Sequence, residues 1–189
     1  MALPAVLFLV LLLTSVLAGC GRGQADTQTY SGTGKNGEPE ETEEGEYTLT
    51  TKVTDVINDP AFEDYGRLIF PVDRSIDGGL ELQDVGDILI WYNNVNPERT
   101  VEIVNYMKNQ VTSGEQIFYD IYTDEEKEED PEKEDTGLFF FRGEPGAKTA
   151  VVNAGGGFVY VAAMHDSFLQ ALELARRGYN AFALIYRPG

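Results

Sequence analysis

Cysteine, histidine, basic residues and long apolar runs are all scarce in this chain. The 189 residues include one cysteine and one histidine. A lone cysteine, Cys20, excludes any internal disulfide. No His/Cys/Asp group has metal-ligand spacing, so the sequence indicates no metal and no cofactor. Fourteen Lys and Arg stand against 32 Asp and Glu, a formal charge of −18. That sign excludes a nucleic-acid partner, since gripping a phosphate backbone depends on cations. The apolar run Ala5–Leu13 falls short of the roughly 20 residues that a membrane span prefers.

The negative charge is local. Glu38–Glu46 and Asp124–Asp135 carry −6 and −7 of the total, which marks solvated segments rather than an acidic face. Calcium binding by Asp124–Asp135 is disfavoured, because the EF-hand spacing and its central glycine are absent.

What the chain does have is concentrated in Thr149–Gly189, which reads as strand, glycine-rich loop, helix, strand. Ala150, Val151 and Val152 form a short apolar run, followed at once by Gly155, Gly156 and Gly157. Phe168, Ala171, Leu172 and Ala175 recur at i, i+3, i+4, i+7, the stripe of an amphipathic helix. Ser167 with Gln170 fits a capping box, and Asp166 is the rival N-cap. Arg176 and Arg177 suit the helix C-terminus, and Gly178 supplies a left-handed stop. The apolar run Ala181–Tyr186 reads as a buried strand, completing a βαβ unit. There is no G-x-G-x-x-G opening into a helix, so a dinucleotide fingerprint is excluded.

With Ala154-Gly155-Gly156-Gly157-Phe158 after a strand, and Gly178-Tyr179-Asn180-Ala181-Phe182 running to Tyr186-Arg187-Pro188-Gly189, the stretch resembles the α/β-hydrolase family of esterases and lipases. In that family a glycine-rich HGGG-type loop contributes half of the oxyanion hole. Ala154 stands where the family usually has histidine. The resemblance implies that the backbone N–H groups of Gly156 and Gly157 face the oxyanion, and that the substrate is a small-molecule or glycan ester. It covers residues 115–189 and is absent from the first 45. The G-x-S-x-G elbow that this family requires does not occur, and His165 lies before any place where one could stand. The chain therefore reads as the N-terminal portion of a carboxylic-ester hydrolase, with no catalytic residue of its own. Serine, acid and histidine are expected beyond Gly189, and Asn180–Tyr186 is expected to be the open edge awaiting a fifth strand.

At the other end, residues 1–20 read as a lipoprotein signal peptide. Leu17-Ala18-Gly19-Cys20 resembles the bacterial lipobox, which implies lipidation at Cys20 and anchoring on the extracytoplasmic face of a bacterial membrane. No basic residue precedes the apolar run, a departure from ordinary secretory signals. Residues 21–46 read as an acidic, disordered linker, too poor in apolar residues to offset the entropy of ordering.

Residues 47–114 read as an N-terminal extension of short, heavily punctuated elements. Within it, Asp87–Tyr92 leans to a short helix. Asn96 as cap and Pro97 at N1 open a longer one over 97–112, with Val101, Val104, Met107 and Val111 facing the following sheet. Trp91 and Tyr92 read as core, with a substrate entrance the alternative. Glu115–Tyr122 and Gly137–Arg142 read as two antiparallel strands joined by the acidic run as a long loop. His165 reads as structural, holding the loop-to-helix junction; the alternative is that it lines the site. A competing function of another class is a non-catalytic lipoprotein that captures a glycan or peptide on its aromatic residues.

Overall fold

The computed structural model describes residues 45–92 and 95–189. The lipobox with Cys20, and the linker apart from Gly45 and Glu46, lie outside the described residues. The α/β class holds: helices accompany a four-stranded mixed sheet in the order β1-β2-β4-β3. The strands are β1 (Phe118–Tyr119), β2 (Gly137–Phe141), β3 (Thr149–Asn153) and β4 (Asn180–Ile185). β2 runs antiparallel to β1, with Phe139 opposite Phe118, and antiparallel to β4, with Phe140 opposite Phe182. β3 and β4 are parallel, with Val151 opposite Phe182. A parallel pair needs a crossover rather than a hairpin, and helix α4 (Ser167–Arg176) supplies it.

This order places β4 inside the sheet. The free edges are β1 and β3, so the expectation that Asn180–Tyr186 forms the open edge is wrong. The apolar run there reflects a strand with a neighbour on each side, its Ala181, Ala183 and Ile185 buried and the intervening residues half-buried. β1 is also much shorter than the eight-residue alternation suggests. Only Phe118 and Tyr119 are in register with β2, the Ile117 carbonyl accepts the Phe140 amide at 2.7 Å, and Ile121 is already exposed.

The acidic run is helical rather than a loop. Helix α3 (Asp124–Glu129) begins at a reciprocal box in which Thr123 and Glu126 cap one another, and a 3-10 turn follows over Pro131–Asp135. Three acids in the first turn of α3 complement the helix dipole, and none of its residues is buried. The solvated character thus survives while the loop assignment does not.

Helix α4 buries Phe168, Ala171, Leu172 and Ala175, the stripe read from the sequence. Gly178 at φ +90° ends it. Its start differs from the capping box. Asp166 holds the N-cap position and Ser167 is the first helical residue, fully buried, with no hydrogen-bond partner for its Oγ among the described residues. The Asp166 carboxylate is engaged elsewhere, as described below.

Preceding the sheet come helix α1 (Val53–Ile57), 3-10 segments Pro60–Ile69 and Leu82–Ile88, and helix α2 (Pro97–Thr112). The short helix expected over Asp87–Tyr92 lies earlier, because Leu82 and Val85 are the residues that reach the core. In α2 the Asn96 side chain accepts from the Arg99 amide at 2.8 Å, as an N-cap should. Its buried residues are Thr100, Ile103, Val104 and Met107, with Val101 and Val111 only half-buried. It packs on the two 3-10 segments and α4 rather than across the sheet. Tyr106 reaches the sheet, stacked on Phe141 at 5.8 Å between centroids.

One apolar core runs from Tyr47 to Ile185. A chain of rings threads it: Tyr65 on Phe118 at 4.8 Å, Phe118 on Phe139 at 5.0 Å, and Phe139 on Phe168 at 5.0 Å. Each such pair adds roughly 0.5–1.5 kcal/mol beyond area burial. These rings tie residues before Gly114 to the sheet and to α4. Among the described residues, no helix is long and apolar enough to cross a membrane.

Candidate functional site: the glycine-rich loop

Between β3 and α4 the chain makes a folded loop over residues 154–166 whose shape is set by a few polar contacts. The Gly155 amide donates to Asp166 Oδ2 at 2.7 Å, joining the start of the loop to its end. The Val159 amide donates to the Gly156 carbonyl at 3.0 Å, and the Ala162 amide to the Gly155 carbonyl at 3.1 Å. Tyr186, just after β4, donates its hydroxyl toward the carbonyls of Ala154 at 3.2 Å and Tyr160 at 3.3 Å.

Gly156, Gly157 and Phe158 have φ of +148°, +60° and +61°. A Cβ on Gly156 would lie 1.8 Å from the Tyr160 carbonyl oxygen, so no side chain fits there. Phe158 holds a left-handed conformation that costs an L-residue roughly 1–2 kcal/mol, and its ring rests on Tyr186 at 6.0 Å. The glycines thus let the backbone double back on itself. Among the described residues the amides of Gly156 and Gly157 donate to no acceptor, whereas that of Gly155 is occupied by Asp166. Two neighbouring amides without acceptors are what an anionic oxygen needs.

Aromatic residues border the loop. A Cβ on Gly155 would lie 2.5 Å from the Tyr92 hydroxyl, so Tyr92 is packed directly against the glycines. Burial, with the Asp166 charge second, raises the Tyr92 phenol above its ordinary value. Burial likewise raises Tyr186, with Tyr160 and Asp166 adding to it. Both phenols therefore remain neutral hydrogen-bond donors near pH 7. Trp91 is 55% exposed, which overturns its core assignment. Its indole N–H reaches across to donate to the Tyr160 hydroxyl, and the two rings lie 5.8 Å apart. The apolar run before Trp91 ends at the buried Leu89; Ile90 and Trp91 then turn outward.

His165 bonds through Nε2 to the Val85 carbonyl at 3.0 Å and meets the Tyr92 ring edge-on at 6.0 Å. Its Nδ1 is buried with no partner among the described residues. Burial lowers its pKa, and the bond to Val85 only partly opposes this. His165 thus pins the end of the loop to the 3-10 segment Leu82–Ile88. No hydrogen bond connects His165 with Ser167, so this pair is no activated nucleophile. Among the described residues no three His, Cys, Asp or Glu side chains could together hold a metal ion.

A wide cavity of about 1210 Å³ lies elsewhere, lined by Tyr65, Arg67, Phe118, Asp120, Lys127 and Asp135. Two of its acids are paired, Arg67–Asp135 at 2.9 Å and Lys127–Asp120 at 2.5 Å, while Glu63, Asp64, Glu115, Asp124 and Glu134 leave the lining acidic. The residues that sequence reasoning missed are Tyr160, Tyr186 and the loop-closing role of Asp166. Only Asp166 left a local signal, as the rival cap, and that signal pointed to a different partner. No protein-family model, curated protein or solved structure matches the chain.

Proposed function

We propose that this chain carries the front part of a surface-anchored α/β-hydrolase acting on carboxylic esters. The observation that carries the reading is the pair of amides at Gly156 and Gly157, without acceptors and held at the C-terminal end of β3. In an ester hydrolase they would receive the oxygen that becomes negative as the carbonyl turns tetrahedral. Removing one such donor typically costs roughly 10²–10³ in turnover. An antiparallel pair of strands leading into a βαβ unit is also how these enzymes begin, and β1–β2 followed by β3–α4–β4 supports that. On this reading the nucleophile, acid and base come from sequence following Gly189, and lipid at Cys20 holds the enzyme to the membrane. Two acyl signals suffice for stable attachment.

Extending the reading frame past Gly189 tests this. A G-x-S-x-G within a few tens of residues and a later histidine are expected. A frame that runs on for another hundred residues with no serine in such a turn sinks the assignment. The second reading, a non-catalytic glycan- or peptide-binding lipoprotein, is favoured by the exposure of Trp91 and Phe158. It would then stand.

A further inference from the structure

Arg74 is placed unlike most of the described arginines. Arg67, Arg99, Arg142, Arg176 and Arg187 each pair with a carboxylate, and Arg177, which does not, is exposed. Arg74 forms no ion pair among the described residues, in a chain with more than twice as many acids as bases. Instead its guanidinium lies against two rings, 4.7 Å from the centre of Tyr160 and 5.5 Å from that of Trp91. Its Nε is buried with no hydrogen-bond partner among the described residues. An arginine held by cation–π contacts keeps its planar fork pre-oriented, and a buried N–H without an acceptor leaves desolvation uncompensated. Tyr160 also connects this arginine to the glycine loop, since its carbonyl abuts Gly156 and its hydroxyl accepts from Trp91.

We propose that Arg74, with Trp91 and Tyr160, forms a carboxylate-binding subsite beside the glycine-rich loop, taking small molecules that carry an acidic group. With Nε buried, the two terminal nitrogens of the guanidinium are the pair that matches a carboxylate, through two parallel N–H···O bonds. The exposed indole offers a flat surface on which an attached ring can rest. Where the hydrolase reading of the neighbouring loop holds, which this part of the inference rests on, the subsite selects esters bearing a distal carboxylate over neutral ones. Binding itself requires no turnover.

Trp91 is the only tryptophan in the chain, so its fluorescence reports on this site alone. The purified chain is titrated with sodium glucuronate and, at matched ionic strength, with glucose, which presents a similar ring without the carboxylate. Glucuronate is expected to change the emission saturably and glucose to leave it unchanged. Arg74→Gln should weaken the glucuronate response at least tenfold, and Arg74→Lys, which keeps the charge but loses the fork, should fall between. No saturable response in the unmodified chain, an equal response to glucose, or an undiminished response in a folded Arg74→Gln would each overturn the subsite. The comparison of the two sugars needs no variant, so misfolding of Arg74→Gln leaves the proposal testable. A protein extended past Gly189 that binds glucuronate but hydrolyses no ester loses the hydrolase reading and keeps this one. Ester hydrolysis without glucuronate binding has the opposite consequence.

Discussion

Asp166 accepts the amide of Gly155 at 2.7 Å, closing the glycine-rich loop eleven residues after it opens. The same carboxylate takes the Gln170 side-chain amide at 2.8 Å, so the loop is clamped to the first turn of α4. This bond also sorts the three glycine amides into one that is used and two that are not. In hydrogen exchange followed by NMR, Gly155 should be protected while Gly156 and Gly157 exchange quickly. Asp166→Ala should expose Gly155 and cost about 1 kcal/mol in urea unfolding, the usual net worth of one hydrogen bond. Asp166→Asn keeps an acceptor and should be milder. Equal exchange at all three glycines would remove the clamp.

The two glycines that follow should answer differently to alanine. At Gly157 there is nothing within 4 Å of a new Cβ, but φ is +60°, so Gly157→Ala should cost only the roughly 1–2 kcal/mol of a left-handed L-residue. At Gly156 the Cβ would strike the Tyr160 carbonyl, and the loop must open to admit it. Gly156→Ala should therefore destabilise more than Gly157→Ala in paired urea melts. Proline at 157 is no clean deletion of a donor, because its ring fixes φ near −65° and would remodel the loop.

Much of this fold was legible because local signals and tertiary packing agreed. The stripe of α4, its stop at Gly178 and the Asn96-Pro97 start of α2 all rest on contacts within a few residues, and the structure keeps them. The failures arose where a partner distant in sequence decided the outcome. Asp166 bonds a glycine across the loop instead of its own helix, and Ser167 is left buried without a partner. Trp91 sits beside an apolar run yet finds its partner 69 residues away in Tyr160. β4 takes an interior place because β2 pairs with it, something a run of apolar residues cannot specify. The acidic segment was misread for a different reason: the Thr123–Glu126 box was present, but the density of charge obscured it.

Asp59 offers a test of the N-terminal packing through pH. It accepts from the Tyr47 hydroxyl at 2.6 Å and from Lys108 at 2.9 Å. Burial alone would raise its carboxyl, but the bonds from Tyr47, the Ala61 amide and Lys108 outweigh that and hold it below the usual range. A carboxyl lowered on folding contributes stability that is complete above the unfolded value of about 3.9 and is lost as pH falls through the folded one. Asp59→Asn should cost about 1.5–3 kcal/mol at pH 7, the range for hydrogen bonds to charged groups. It should also flatten the acid limb of the stability curve. Denaturant melts from pH 7 down to pH 2 that show the same acid limb in both proteins would discount the network.

His165 should impose a second slope, separate from that of Asp59 and at higher pH. It is the only histidine, so no other side chain with an ordinary pKa near 6.5 titrates between pH 5 and 7. Burial disfavours its charged form in the folded protein, and the pKa is lowered there. In the window between the folded value and about 6.5, the unfolded chain binds the proton and the folded chain does not. Acidification through that window must therefore destabilise the fold, levelling off once the folded ring also protonates. The unfolding free energy should be lower at pH 5.5 than at pH 7.5 in the unmodified protein. His165→Gln keeps a donor for the Val85 carbonyl but cannot ionise, so its stability should be nearly constant over the same range. If the two proteins show the same slope, His165 is not held neutral by its burial. The junction between the loop and the 3-10 segment Leu82–Ile88 would then have to be open to water.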